Sequence, residues 1–220
     1  MQFLHGGELI ARQLAAQGVT AVYGLCGGHI APIFDGCVNN NIAIIDVRHE
    51  QAAGHAADAH ARLTRNVGVA VVTAGPGVTD AVTAVANAYQ ARSPLILLGG
   101  SAPLNTRGQG ALQEMPQVEM FQTFTKASFT IEKTEDIPAR LHFAFQTALN
   151  GRPGPVFIEI PLDVLFGTMA EAKIYPKVTA TPLEPEVGAM QRIFEMLRAA
   201  QKPILVAGTQ VYWDAAHDAL

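Results

Sequence analysis

Two hydrophobic periods alternate along this chain. Between Glu8 and Gln17 the apolar residues Leu9, Ile10, Leu14 and Ala15 recur at helical spacing, and Gly18 closes the pattern. Ala21-Val22-Tyr23-Gly24-Leu25 reads as a short buried strand. A Gly27-Gly28 turn leads to a predicted helix from Pro32 to Val38, proline being suited to a first helical turn. Ile42 to Val47 predicts the next strand, and an alanine-rich helix runs from Glu50 to about Arg65. Val67 to Thr73 is a continuous apolar run, followed by Gly75-Pro76-Gly77 and a helix to Ala91. Pro94 to Leu98 predicts a further strand, ended by Gly99-Gly100. Residues 105–122 lack clear periodicity and accommodate one short helix. A strand over 127–131, a helix over 134–150 and a strand over 155–160 follow.

Strands apolar on both faces, interleaved with amphipathic helices, predict an α/β fold with an open, mostly parallel sheet and helices on both faces. Residues 1–166 are expected to form this first domain. Residues 167–185, with Pro176, Pro182 and Pro185 and little periodicity, read as a linker. Residues 186–220 read as the start of a second α/β domain, with a helix over 187–200, a strand over 203–207 and the opening of another helix after Gly208.

Composition narrows the class. Of 220 residues, 49% are hydrophobic and 15% charged, which supplies a large core and argues against disorder. The net charge is −4 with acids and bases interspersed, so no basic stripe points to nucleic acid. Cys26 and Cys37 lack Cys-x-x-Cys spacing, which suits a reducing compartment and no structural zinc. Residues 1–8 lack the basic start and apolar core of a signal peptide, and no apolar run approaches the roughly 20 residues of a membrane span. A soluble, cytoplasmic protein without membrane partners is expected.

Glu50 is the most telling chemical position. It falls at the seam between an apolar strand and the alanine-rich helix, where a carboxyl group can face a ligand away from bulk water. His29 follows the Gly27-Gly28 turn past the end of a strand, where parallel sheets bind ligands. An imidazole there titrates near neutrality. Thr73, Gly75, Pro76 and Gly77 form a second turn, whose glycines allow close backbone approach. It is not a phosphate loop, because no Lys-Ser/Thr pair follows the glycines. Gln113 lies in the long irregular segment, and such segments are commonly functional. His49 and His55 are six apart rather than four, so no metal site is expected in this chain.

Six pieces occur in order across roughly residues 3–166: Gly24-Leu25-Cys26-Gly27-Gly28-His29, then Asp46 through Asp58 with Arg48-His49-Glu50, then Thr73-Ala74-Gly75-Pro76-Gly77, Ala111-Leu112-Gln113-Glu114, Thr125-Lys126 and Gly151-Arg152-Pro153-Gly154-Pro155-Val156. Together they resemble the N-terminal, pyrimidine-binding domain of thiamin-diphosphate enzymes related to acetolactate synthase. His29 and Ile44-Ile45-Asp46 favour the benzaldehyde lyase and 2-hydroxyacyl-CoA lyase subgroup, since acetolactate synthases usually carry a small residue at the position of His29.

The resemblance implies that Glu50 bonds N1′ of the cofactor's aminopyrimidine and favours the tautomer that removes the thiazolium C2 proton. It implies that His29 orients or deprotonates the substrate hydroxyl, and that Gln113 reaches toward the cofactor across a subunit interface. Gly27, Gly28, Thr73, Gly75, Pro76 and Gly77 would surround the pyrimidine, with Lys126 and Phe121 near the substrate mouth. The diphosphate and its Mg2+ would be held by a C-terminal domain with a Gly-Asp-Gly motif, which this sequence does not contain. A homodimer would be the minimum active unit, and a homotetramer the expected one. The resulting expectation is part of a lyase or carboligase acting on 2-hydroxy carbonyl substrates. Two alternatives stand beside it: an acetolactate synthase condensing 2-oxo acids, in which FAD becomes possible, and a non-catalytic dimerisation module.

Overall fold

The computed structural model describes residues 3–181 and 183–220. The first unit runs to Ala180 and the second covers Thr181–Leu220. In chain order the first unit contains β1 (Leu4–His5), α1 (Gly6–Ala16), β2 (Ala21–Gly24), α2 (Ala31–Asn39), β3 (Ala43–Asp46), α3 (Glu50–Thr64) and β4 (Gly68–Val72). It continues with α4 (Pro76–Asp80), α5 (Val82–Ala91), β5 (Leu95–Ser101), α6 (Gln117–Phe121), β6 (Ala127–Thr130), α7 (Ile137–Leu149), β7 (Val156–Pro161), α8 (Leu162–Phe166) and β8 (Thr168–Met169).

Six strands form one parallel sheet in the order β3-β2-β4-β5-β7-β6. Side chains of successive strand residues face opposite sides, and the core divides accordingly. Val69, Val71, Ile96, Leu98, Val156 and Ile158 face one side, where Leu9, Ile10 and Leu14 of α1, Ile33 of α2 and Leu141 of α7 cover them. Ala70, Val72, Leu95, Leu97 and Phe157 face the other, under Ala53 and Ala57 of α3, Val85 and Ala88 of α5 and Phe121 of α6. The predicted open parallel sheet with helices on both faces is therefore the observed architecture. Each fully buried Leu or Ile in these layers stabilises the fold by about 1.5–3 kcal/mol.

Small residues set the spacing. A side chain on Gly7 would run into the backbone of Pro32, and one on Gly36 into Gly7, so α1 and α2 cross in close contact. Gly54 of α3 sits directly against the Ala84 methyl group of α5, which brings those two helices close together. Cys37 is buried on α2 and its thiol is pushed up to about 12 by burial and by the charge of Glu8, whereas Cys26 is exposed.

Several boundaries differ from expectation for physical reasons. Gly99 and Gly100 do not end a strand; β5 runs through both to Ser101. A Cβ on Gly99 would meet Val78 at 2.7 Å and Phe157 at 2.8 Å, and one on Gly100 would meet His29 at 2.7 Å. These glycines answer to packing rather than to a turn. β3 is an edge strand, largely exposed rather than buried on both faces. Residues 168–178, within the stretch expected to link two domains, are tied to the first unit. β8 pairs antiparallel with β1, Gln13 bonds Tyr175 through both its amide atoms, and Gln17 bonds Tyr175, Pro176 and Val178.

In the second unit α9 (Val187–Ala199) and α10 (Thr209–Trp213) form, but the strand expected at 203–207 does not. Ile204, Leu205 and Val206 are exposed, and no other strand exists among the described residues of this unit to supply a ladder. Among the described residues, no helix is long and apolar enough to cross a membrane.

Candidate functional site

The strand order reverses between β2 and β4: the chain steps outward from β2 to β3, then returns past β2 to build the rest of the sheet. Open α/β sheets bind ligands in the crevice beyond the carboxyl ends of strands at such a switch point. The turns after β2, β3 and β4 carry Gly27-Gly28-His29, Glu50 and Thr73 through Gly77. Most of the predicted site residues therefore meet at one rim.

Glu50 opens α3. His49 caps that helix by accepting from the Gln51 amide at 3.2 Å, and this turns the chain sharply from β3. The Glu50 side chain is 8% exposed. A Cβ on Gly77 would lie 3.1 Å from Glu50 Oε1 and 2.8 Å from Thr73 Cγ2, so both side chains border the same glycine. Gly27 is pressed against Thr73 from the other side. Thr73 is thus wedged between two glycines, with the carboxyl group of Glu50 beside it.

His29 is 8% exposed and packs against Gly100 of β5. Burial holds its pKa below the ordinary histidine value, while a hydrogen bond to the Gln113 side chain pulls in the opposite direction. Burial thereby favours the neutral imidazole over the charged one. Gly27, Gly28, His29, Thr73 and Gln113 share the walls of an open cavity of about 560 Å³, completed by Pro103, Leu112 and Leu162. Gln113 adopts a left-handed backbone with φ +61°, uncommon outside glycine and a mark of functional segments. Glu114 organises the loop that presents it, accepting from the backbone amides of Gly108 and Ala111. The Gly108 bond comes first among the causes that lower its pKa.

Gly75 and Gly77 differ in what fixes them. Gly75 has φ +61° and ψ −111°, a left-handed backbone that strains an L-residue, and a Cβ there would also strike Gln113 at 2.8–2.9 Å. Pro76, exposed, begins α4.

Phe121 and Lys126 do not join this group. Phe121 is fully buried and stacked on Phe157 at 4.3 Å between ring centroids, so it is a core residue, not a wall of the substrate mouth. Lys126 precedes β6 and lies at the amino end of the parallel strands, the rim opposite Glu50. Its ammonium donates to Asn150 O at 2.7 Å, and burial lowers its pKa. The resemblance suggested a place near the substrate mouth; within this chain the strand direction puts Lys126 at the opposite rim.

Three site features escaped the sequence. Asp80 reaches the Glu50 helix: His49, Glu50 and Asp80 present potential ligand atoms within 4.8 Å of one another, with His49 Nε2 3.7 Å from Asp80 Oδ2. No residue spacing signals that trio, because Asp80 arrives on α4. Gln117 is 1% exposed and bonds the Gly75 amide, and Glu159 is 5% exposed and bonds Gln117. Glu159 did carry a signal: it is a lone acid inside the apolar run Val156-Phe157-Ile158-Glu159-Ile160, and acids are rarely buried unless paired.

The switch point of this doubly covered parallel sheet, where α/β domains bind ligands, thus carries a buried glutamate, a buried histidine and two glycine turns. Residues 4–120 match the family described as thiamine pyrophosphate enzyme, N-terminal TPP binding domain. The chain belongs to that family. It is 39% identical to a 2-hydroxyacyl-CoA lyase 2 of Caenorhabditis elegans over 94% of this chain and 38% of that protein. It is 38% identical to an acetolactate synthase large subunit of Mycobacterium tuberculosis over all of this chain and 40% of that protein. A 2-hydroxyacyl-CoA lyase 2 of Bos taurus is 44% identical over 93% of this chain and 32% of its own length. The chain thus spans about two fifths or less of the curated relatives it matches.

Proposed function

We propose that this chain is the pyrimidine-binding part of a thiamin-diphosphate-dependent lyase or carboligase, acting at the carbon–carbon bond beside a 2-hydroxy carbonyl group. The single observation that carries this is Glu50, shielded from solvent with its carboxyl oxygen beside Gly77 and Thr73. The residues fit the cofactor: a Cβ on Gly28 would meet nothing within 4 Å, so bare backbone faces open space beside the cavity that Thr73 and Gln113 line, and the Glu50 carboxyl oxygen lies beside Gly77 next to Thr73.

Thiamin diphosphate supplies a carbon nucleophile and an electron sink that protein side chains lack. Glu50 holds a hydrogen bond to a ring nitrogen of the aminopyrimidine and shares a proton with it. Thr73 and the glycines would hold the ring beside Glu50. His29, whose neutral form burial favours, accepts and returns a proton at the substrate hydroxyl, and Gln113 orients the same group with its amide. The diphosphate and its Mg2+ are assigned to another domain of the whole protein. A homodimer or homotetramer and a cytoplasmic location belong to the same reading.

The test uses the full-length protein with thiamin diphosphate and Mg2+. Glu50→Gln is expected to slow C2 proton exchange of the bound cofactor by about 10²–10⁴-fold, the usual worth of a positioned acid–base group. An unchanged exchange rate removes the proposal. Acetolactate synthesis is the second reading, favoured by the match to the M. tuberculosis synthase over the whole of this chain; only there does FAD enter. His29→Ala separates the two. A large loss on 2-hydroxyacyl thioester cleavage with little effect on pyruvate condensation supports the lyase, and the reverse pattern supports the synthase.

A further inference from the structure

The Gly75 turn is held from inside the protein by a buried polar chain that the proposed chemistry leaves unused. Gln117 Oε1 accepts from the Gly75 amide at 2.7 Å. Its Nε2 donates to Gly100 O at 3.1 Å and to Glu159 Oε1 at 2.9 Å. The second oxygen of Glu159 accepts from Thr130 Oγ1 at 2.7 Å and from Arg107 Nη2 at 2.8 Å. The partners dictate the amide's orientation. A carboxylate and a carbonyl can only accept, so they require the NH2 end, and this leaves the oxygen for the Gly75 N–H. No other uncharged side chain of this length satisfies two acceptors and one donor at once.

Gly75 is also the point where the site's parts converge. Gln113 packs directly over it, and it opens the turn whose Gly77 borders Thr73 and Glu50. Any shift of Gly75 moves all of these.

We propose that Gln117 is a positioning residue that sets the Gly75 turn, and through it the Thr73–Gly77 cradle and Gln113, with Glu159 as the fixed acceptor that keeps its amide correctly turned. This rests on the reading of the site as a thiamin-diphosphate site. Gln117 touches neither cofactor nor substrate; it acts by preorganisation, and displacement of reacting groups by about 1 Å can cost about 100-fold in rate.

The experiment compares Gln117→Glu, the exchanged pair Gln117→Glu with Glu159→Gln, and Glu50→Gln in the full-length protein. Gln117→Glu keeps an acceptor for Gly75 but sets two carboxylates against each other. The exchanged pair restores one donor and one acceptor between positions 117 and 159 at unchanged total charge, and leaves the Gly100 carbonyl without its donor. Two quantities are read: C2 proton exchange of bound thiamin diphosphate, and hydrogen exchange of the Gly75 amide without cofactor. Gln117→Glu is expected to lower C2 exchange by about 10–100-fold and to expose the Gly75 amide. The exchanged pair is expected to recover both readings by about threefold or more over Gln117→Glu, a rescue that loss of general stability would not show, and a folded pair without it overturns the role. If Gln117→Glu does not fold, Gln117→Ala decides: C2 exchange and Gly75 protection within about twofold of wild type overturn the role. A folded Gln117→Glu protein within twofold of wild type in both readings overturns it too. Should Glu50→Gln leave C2 exchange unchanged, the cofactor reading fails instead, and the Gly75 amide still reports whether Gln117 holds the turn.

Discussion

His29 shows how one side chain acquires its chemistry from its surroundings. Burial disfavours the imidazolium and lowers the pKa, and the Gln113 amide partly offsets this by favouring the charged ring. The sign follows: with a folded pKa below the unfolded one, His29 contributes stability that is present above pH 6.5 and lost as pH falls through the lowered value. Gln113→Ala removes the only opposing influence. NMR titration of the His29 ring is expected to give a midpoint below 6.5 in the wild type and a lower one still in Gln113→Ala; an upward move would show that the amide acts otherwise. At the same scale, Glu50 and Thr73 were legible as candidates because strand ends and glycine turns mark ligand rims. Phe121, which the resemblance set near the substrate mouth, lies in the core layer stacked on Phe157, a placement no local pattern records.

The elements owe their arrangement to where side chains are missing. α1 and α2 cross closely because Gly7 and Gly36 present backbone to backbone. Gly7→Ala places a methyl group into the Pro32 carbonyl, and overpacking of this kind costs about 1–3 kcal/mol. A Cβ on Gly28 meets nothing within 4 Å, so Gly28→Ala is expected to stay within about 0.5 kcal/mol of wild type. Urea denaturation of the two variants checks the contrast, and equal midpoints would refute it. β5 teaches the same lesson. Its two glycines punctuate a turn when read locally, yet they lie inside the strand because Phe157 and His29 press against them. The alternation of helix and strand was legible throughout 8–160, since burial on two faces requires near-continuous apolar strands. The strand expected at 203–207 was not realised, because apolar sequence without a neighbouring strand has no ladder to join.

At the scale of the molecule, the first compact unit extends to Ala180. Gln13 of α1 and Gln17 at its C-terminal cap, both buried, capture the backbone of Tyr175, Pro176 and Val178. Limited proteolysis of the full-length protein is therefore expected to spare 168–178, and Gln13→Ala combined with Gln17→Ala is expected to make that stretch cleavable. Cleavage within 170–178 of the wild type at the variant's rate would mean that these bonds do not hold in solution. The match to the thiamine pyrophosphate family over residues 4–120 covers the switch-point rim but not the captured tail.

The periodicity, the glycine turns and the buried acid at a strand–helix seam are local quantities, governed by side-chain alternation and backbone sterics over a few residues. By themselves they determined an open parallel α/β sheet and placed Glu50, His29 and the Thr73–Gly77 turn at its rim. Only the tertiary structure decided that Gln117 reaches Gly75 across 42 positions, that Asp80 approaches His49, and that Lys126 lies at the opposite rim. Those relations depend on strand order, because β5 lies between β4 and β7 only once the whole sheet is assembled, and no short-range pattern records which distant backbone a side chain will meet.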